Sequence, residues 1–292
     1  MDKYLLFRTD RIGDFIFSRI LTNAIKSKNP NNTIDVVCSS YNSEYIKNCS
    51  EINKIYILDK YDLFSMINNI IKINSIKYDY LIILDSKRRS FFYAILLSAK
   101  YKIALLKDWR PYLLLKLFYD KFIINSNINS QYKNFLTLAN LIDLNFKNKF
   151  DYYKGYKTKK KKIVSYSNYL HLHLDEKWFQ GFYYKDYTLI NLNYKNFDLF
   201  IKTLFNKFKK KIIITTGKTR IPDLYKIINS HFEKNNDKKY ISTTYKNNLL
   251  FFDNNTFEDL ESFVKNSSIL FCCEGAISHV ANAFEKKNVC IS

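Results

Sequence analysis

The chain has 292 residues, enough for one large domain or two of about 130–150 residues, and a 47% hydrophobic content with only 5 Gly and 3 Pro excludes a disordered or low-complexity polypeptide. Its 47 Lys and Arg against 27 Asp and Glu leave a formal charge of +20, a surface that favours phosphates, anionic lipid or nucleic acid. The lysines are spread along the chain and no DNA or RNA recognition motif occurs, so nucleic acid is not an expected partner.

The first residues read as strand, turn, helix. Tyr4 to Phe7 is a short apolar run of the buried parallel type. The polar turn Arg8-Thr9-Asp10-Arg11 follows, then Gly13, Asp14 and apolar residues at helical spacing, Ile12, Phe15, Ile16, Ile20 and Leu21. This is the opening unit of a doubly wound α/β domain, whose ligands sit beyond the carboxyl ends of the strands, where this turn lies. Gly13 permits close backbone approach. Asp14 falls in the first helical turn, where a carboxylate is favoured by the helix dipole and can cap the helix.

Strands are then expected at Thr33 to Cys38, Lys54 to Leu58 and Tyr80 to Asp85, with helices at Tyr41 to Cys49 and Leu63 to Ile73 between them. Lys87 to Phe122 mixes aromatics, leucines and cations, with a strand at Tyr101 to Leu106. Such a stretch suits a membrane surface or a core helix with a solvated basic face. A helix over Gln131 to Leu144 precedes a lysine-heavy polar run, Asn145 to Lys162, the best linker candidate. The expected division is residues 1–150, a linker at 151–162, and residues 163–292.

The second half repeats the alternation. Strands are expected at Ile163 to Tyr166, Tyr169 to His173, Thr188 to Leu192, Ile212 to Thr216, Leu249 to Phe252, Ile269 to Cys273 and Val289 to Ile291. Helices are expected at Phe197 to Phe208, Ile221 to Phe232, Phe257 to Lys265 (capped by Asn255 or Thr256) and Ala276 to Phe284. Three of the five glycines, Gly13, Gly217 and Gly275, sit where a strand hands over to a helix, a place where backbone amides can meet a phosphate. Gly275, Ser278 and His279 bring amides, a hydroxyl and an imidazole to one such junction.

His171 and His173 share one strand face, but no third ligand of the right kind lies nearby, so no metal is expected. Lys177 beside Trp178 could meet a phosphate. There is no P-loop, no GxSxG and no Asp-x-Asp for a magnesium-bound nucleotide. The 5 Cys are an odd number without a CxxC and read as reduced, buried thiols of a cytoplasmic protein. With charges at positions 2, 3, 8, 10 and 11 no signal peptide is expected, and the run Phe91 to Leu97 is too short to span a bilayer.

Three blocks in order, RTDRIGDFIFSRIL, HLDEKWF and CEGAISHVANAF, resemble the heptosyltransferase-like glycosyltransferases, glycosyltransferase family nine. The resemblance implies a GT-B fold, two Rossmann-like doubly wound parallel-sheet domains facing a cleft. It implies transfer of a heptose-like sugar from a nucleotide diphosphate donor to a lipopolysaccharide core or related anionic glycan, with no metal or other cofactor. Asp14 would be the catalytic base. Lys177, Thr216, Gly217, Glu274, Gly275, Ala276, Ser278 and His279 would bind the donor, and Arg8, Arg11 and Gly13 the acceptor. The place of action would be the cytoplasm, with peripheral contact at the inner membrane face. Glu274 stands where the family has Asp and Ala276 where it commonly has Gly. Lys218 and Arg220 follow Thr216-Gly217 where a carboxylate towards ribose is usual. The family also continues through further helices after the strand at which this sequence stops, the pattern of a truncated or divergent form. A nucleotide-sugar epimerase and a non-catalytic nucleotide or glycan binder share the architecture and stand as alternatives.

Overall fold

The computed structural model describes residues 1–58, 62–106, 116–124, 131–145, 165–179, 192, 194–236 and 239–291. The chain divides into two compact units, Met1–Lys157 and Thr158–Ser292.

The first unit is built on six strands, β1 (Lys3–Arg8), β2 (Thr33–Cys38), β3 (Lys54–Ile57), β4 (Tyr78–Ile83), β5 (Ala99–Leu106) and β6 (Lys121–Ile124). All neighbouring pairs are parallel, in the order β3-β2-β1-β4-β5-β6 of a dinucleotide-binding sheet. The helices are α1 (Ile12–Lys28), α2 (Ser40–Lys47), α3 (Leu63–Asn74), α4 (Arg88–Ile95) and α5 (Gln131–Asn140). Central strand β1 is apolar on both faces because both are covered: Tyr4, Leu5, Leu6 and Phe7 are all buried. Leu5 and Phe7 pack with Leu81, Ile83 and Ala104 under α3 and α4. At the start of the sheet Tyr4, Tyr80 and Tyr101 stack across three strands, with ring centroids 4.9 and 5.5 Å apart.

The second unit has seven strands, β7 (Tyr169–His173), β8 (Ile212–Thr215), β9 (Phe232–Lys234), β10 (Lys239–Ser242), β11 (Lys246–Phe252), β12 (Ser267–Cys273) and β13 (Lys287–Ile291), in the order β13-β12-β7-β8-β11-β10-β9. Its helices are α6 (Tyr194–Phe208), α7 (Pro222–His231), α8 (Phe257–Asn266) and α9 (Ala276–Ala283), with a 3₁₀ turn at Glu176–Trp178. The segment β11-β8-β7-β12-β13 is parallel and repeats the 3-2-1-4-5 order of the first sheet. Only β10 runs antiparallel, to both β9 and β11, and extends the sheet at one edge. Ile212, Ile213 and Ile214 are buried on both faces, and Trp178, Phe197 and Phe251 fill the core.

The expected elements occur with ends shifted by a few residues. Strands β6, β9 and β10 were not signalled, because FII, FEK and KYIS are too short or too polar to show a period of two. The expected linker and nearly all of the strand Thr188 to Leu192 lie outside the described residues. So does half of the strand Ile163 to Tyr166; its last residue, Tyr166, is not in a strand and carries the Lys211 ammonium 3.5 Å from its ring centre.

Candidate active site

In a doubly wound sheet the strand order reverses at one point, and the crevice there is where ligands bind. In the first unit that point lies between β1 and β4, in the second between β7 and β12. Most of the residues singled out in sequence lie at these two places, and Thr216 and Gly217 lie at the end of β8; each is described within its own unit.

At the first switch point Arg8 closes β1. It is buried, and its guanidinium is committed internally. Nη1 donates to the Leu84 carbonyl just past β4, and Nε donates to the Asp14 carbonyl at 3.2 Å. It pairs with Asp10 at 3.2 Å and with the Asp14 carboxylate at 3.6 Å. Asp14, the third residue of α1, also accepts from the Arg11 amide at a long 3.4 Å, and its side chain keeps 34% exposure. The capping role is therefore present but weak, and one carboxylate face stays open to solvent. Asp85 ties the crevice together: it accepts from Thr9 N at 3.0 Å, Thr9 Oγ1 at 2.6 Å and Ser90 Oγ at 2.7 Å. Burial raises the Asp10 pKa to about 6. The Arg8 charge opposes that shift, and the nearby Asp14 and Asp85 charges add to it. Of the expected acceptor residues, Arg8 is an organiser held inside, Gly13 is buried in the first turn of α1, and Arg11 is exposed.

At the second switch point the 3₁₀ turn after β7 holds Lys177. Asp175 starts the turn by accepting from the Lys177 amide at 3.1 Å, and Trp178 anchors it, fully buried with Nε1 donating to the His173 carbonyl at 3.0 Å. The Lys177 ammonium then donates to the Glu274 carbonyl just past β12. α9 begins two residues later, at Ala276. Gly275 is its N-cap; Ser278 Oγ donates to the Gly275 carbonyl at 2.7 Å and accepts from the Gly275 amide at 3.2 Å. The first-turn amides of α9 have no intrahelical acceptor, as at any helix start, so a cation and a helix N-terminus meet at one spot. Glu274 is exposed, Gly275, Ala276 and His279 are half-buried, and Ser278 is buried with its hydroxyl spent on the cap. Asp175 matches Asp10 in position, two residues past the first strand of its sheet, and burial raises its pKa to about 6 as well.

Thr216 and Gly217 follow β8. The Thr216 hydroxyl is turned inward and donates to Asp253 Oδ1 at 2.6 Å, while the Thr216 carbonyl accepts from Asn255 Nδ2 at 2.9 Å. Gly217 faces open space and lines a cavity of about 230 Å³ with Lys218, Thr219, Arg220, Tyr225, Asp253 and Asn254. Tyr225 donates its hydroxyl to Asp253, and Arg220 lies 5.0 Å over the Tyr225 ring. Asp253 carries no motif, and only the pairing of β11 with β8 brings it here.

The His pair is accounted for without a metal. Thr215 Oγ1 lies 2.8 Å from His171 Nε2 and 3.0 Å from His173 Nδ1, so one hydroxyl can donate to one ring and accept from the other. Burial lowers both imidazole pKa values, that of His173 to about 4, and keeps them neutral. Among the described residues no group of three His, Cys, Asp or Glu is placed to hold a metal ion. The expectation of five buried thiols needs a correction. Cys38, Cys49, Cys272 and Cys273 are buried, but Cys290 is exposed, because β13 is the edge strand of its sheet.

No protein-family model and no curated protein sequence matches the chain. Solved structures do. Over 99% of this chain and 86% of that one, it superposes on the E. coli heptosyltransferase WaaC with ADP at a TM-score of 0.70 and 12% identity. This architecture is GT-B. A glycosyl transferase family 9 protein from Veillonella parvula DSM 2008 matches at TM-score 0.65 and 11% identity, over 99% of this chain and 81% of that one. The UDP-GlcNAc 2-epimerase from Methanocaldococcus jannaschii matches at TM-score 0.56 and 10% identity, over 99% and 83%. The likeness to these solved structures in fold extends along nearly the whole chain.

Proposed function

We propose that this GT-B protein is a glycosyltransferase of the heptosyltransferase kind. It transfers a sugar from a nucleotide diphosphate donor to a hydroxyl of a lipopolysaccharide core or related anionic glycan. The observation that carries the reading is the Lys177 ammonium held at the opening of α9. A diphosphate there meets a fixed positive charge and a set of unpaired amides. A Cβ at Gly275 would lie 3.7 Å from the Lys177 ammonium, in space an anion would take. The likeness to WaaC, whose structure holds ADP, supports the same choice of ligand.

Asp14 takes the proton of the acceptor hydroxyl. The acceptor oxygen bonds to the anomeric carbon, and the bond from that carbon to the donor phosphate breaks. The leaving diphosphate gains charge, which Lys177 and the α9 amides meet. Because these groups already neutralise the leaving group, the proposal assigns no metal. Thr216 and Gly217 form one wall of the nucleoside site, and Glu274, Ala276 and His279 border the donor sugar. Arg11, an exposed cation at the start of α1, borders the site of an anionic acceptor.

A second reading, a non-catalytic nucleotide binder, is favoured by the engagement of Asp14 with Arg8 and the Arg11 amide. A thermal-shift series with nucleoside diphosphates and nucleotide sugars tests the site. Stabilisation by a diphosphate that Lys177→Ala abolishes is expected; no response to any of them overturns both readings. Sugar transfer that Asp14→Asn abolishes then selects the enzyme over the binder.

A further inference from the structure

We propose that the outward face of α3 and α4 is a docking surface for a bilayer containing anionic lipid. Helix α3, LFSMINNIIKIN, carries an apolar face wider than the part that packs on the core. Met66, Ile70 and Ile73 face the core. On the other side Leu63, Phe64, Ile67 and Ile71, at one helical stripe, are 68%, 90%, 56% and 64% exposed. Helix α4 repeats the pattern. Phe91 and Ala94 are buried, while Phe92 and Leu96, one turn apart, point into solvent at 67% and 57%.

The two helices form one face. Tyr93 donates its hydroxyl to the Met66 carbonyl at 3.1 Å. Asn74 donates Nδ2 to the Leu96 carbonyl at 3.0 Å and accepts from the Ser98 amide at 2.9 Å. The turn carrying exposed Leu117 adjoins it, because Tyr119 donates to the Phe91 carbonyl at 2.8 Å. An exposed apolar area of this extent on a folded domain marks a contact site.

Charge selects the occupant. Neither helix carries an acidic residue, and Lys72, Arg88, Lys100 and Lys116 are exposed on or beside them. Asp62, at the start of α3, is committed to the Ser65 amide at 2.9 Å, and Asp85, on the core side of α4, to Thr9 and Ser90. Against a second copy of the chain these cations would face their own kind across a two-fold axis. Against an anionic bilayer the phenylalanine, leucine and isoleucine side chains enter the headgroup boundary and the cations meet phosphate. Among the described residues no helix is long and apolar enough to cross a membrane, so the contact is peripheral. The face requires no assumption about the reaction.

Flotation of the full chain with phosphatidylcholine vesicles, with and without phosphatidylglycerol, tests this. The protein is expected to float with the mixed vesicles and not with the neutral ones. Phe64→Ser with Ile67→Ser, and separately Lys72→Glu with Arg88→Glu, are expected to lower partitioning about tenfold or more. Leu199→Ser, at an exposed apolar position on α6, is expected to change nothing. Both altered sites lie on the surface, and an unchanged thermal midpoint shows that the variants fold. Failure of the wild type to float, equal flotation with neutral vesicles, or full flotation of the Phe64 and Ile67 variant overturns the proposal. So does a dimer seen by sedimentation that this variant alone dissolves without any vesicle binding.

Discussion

The Lys177 ammonium donates to the carbonyl of Glu274, a residue 97 positions further along the chain. The contact exists because β7 and β12 are neighbours at the point where the strand order of the second sheet reverses. It fixes a positive charge at the start of α9 before any ligand arrives. Lys177→Ala is therefore expected to weaken nucleoside diphosphate binding about tenfold to a hundredfold, the worth of one charge-assisted hydrogen bond. Isothermal titration measures it, and unchanged affinity would remove Lys177 from the site.

Asp14 separates two roles by magnitude. Its bond to the Arg11 amide is long at 3.4 Å, so Asp14→Asn is expected to cost no more than about 1 kcal/mol of stability. As a general base its loss should lower turnover about a hundredfold or more. Urea unfolding and a transfer assay on the same preparation compare the two. A large stability loss with proportionate loss of activity would make it a structural residue.

Arg19 lies in the same block but serves the core. It is fully buried and grips Glu51 with two bonds, Nε to Oε1 at 2.7 Å and Nη2 to Oε2 at 3.3 Å. Glu51→Ala leaves that guanidinium buried without its counter-charge. The expected loss is about 3–5 kcal/mol of unfolding free energy, read from denaturant curves.

Acid should loosen the second unit through His173. Its pKa is 6.5 unfolded and about 4 folded, so between those values the unfolded chain binds a proton that the native one refuses. Stability then falls as pH falls, by up to about 3 kcal/mol from this group. Asp175, raised to about 6, acts oppositely, since its native form holds a proton between 3.8 and about 6 that the unfolded form has lost. His173→Gln is expected to flatten the acid slope of the urea midpoint, and Asp175→Asn to steepen it. A His173→Gln slope identical to wild type would contradict a neutral buried ring.

Cys290 should be the reactive thiol. It is exposed on β13, opposite Cys272 in register, and the hydrogen bond with Cys272 pulls its pKa down to about 7. Burial moves Cys38 and Cys273 the other way, to about 12. Alkylation of the folded protein is expected to label one thiol with a midpoint near pH 7. Cys272→Ala should move that midpoint upward. Labelling of several thiols under native conditions would refute the assignment.

Much of the candidate site was legible before the fold was known, and the part that was not has a common cause. Asp14, Lys177 and Gly275 stand at strand-to-helix handovers that periodicity and glycine placement reveal directly. The engagement of Arg8 with Leu84, the inward turn of the Thr216 hydroxyl and the presence of Asp253 depend on pairings across 76 and 37 residues. No short window of sequence contains them. The three unsignalled strands are short or polar, and their place in a sheet comes from their neighbours.

By itself the sequence determined the alternation of strands and helices, the turns at which a phosphate could be met, and the likeness to a transferase family. Those depend on local periods of two and 3.6 and on single residues at element ends. The tertiary structure alone decided which strands adjoin, which carboxylates are buried, which cations are spent on internal pairing, and that α3 is apolar on its solvent side as well as its core side. Burial, charge interaction and exposure are sums over neighbours that the chain brings together only by folding.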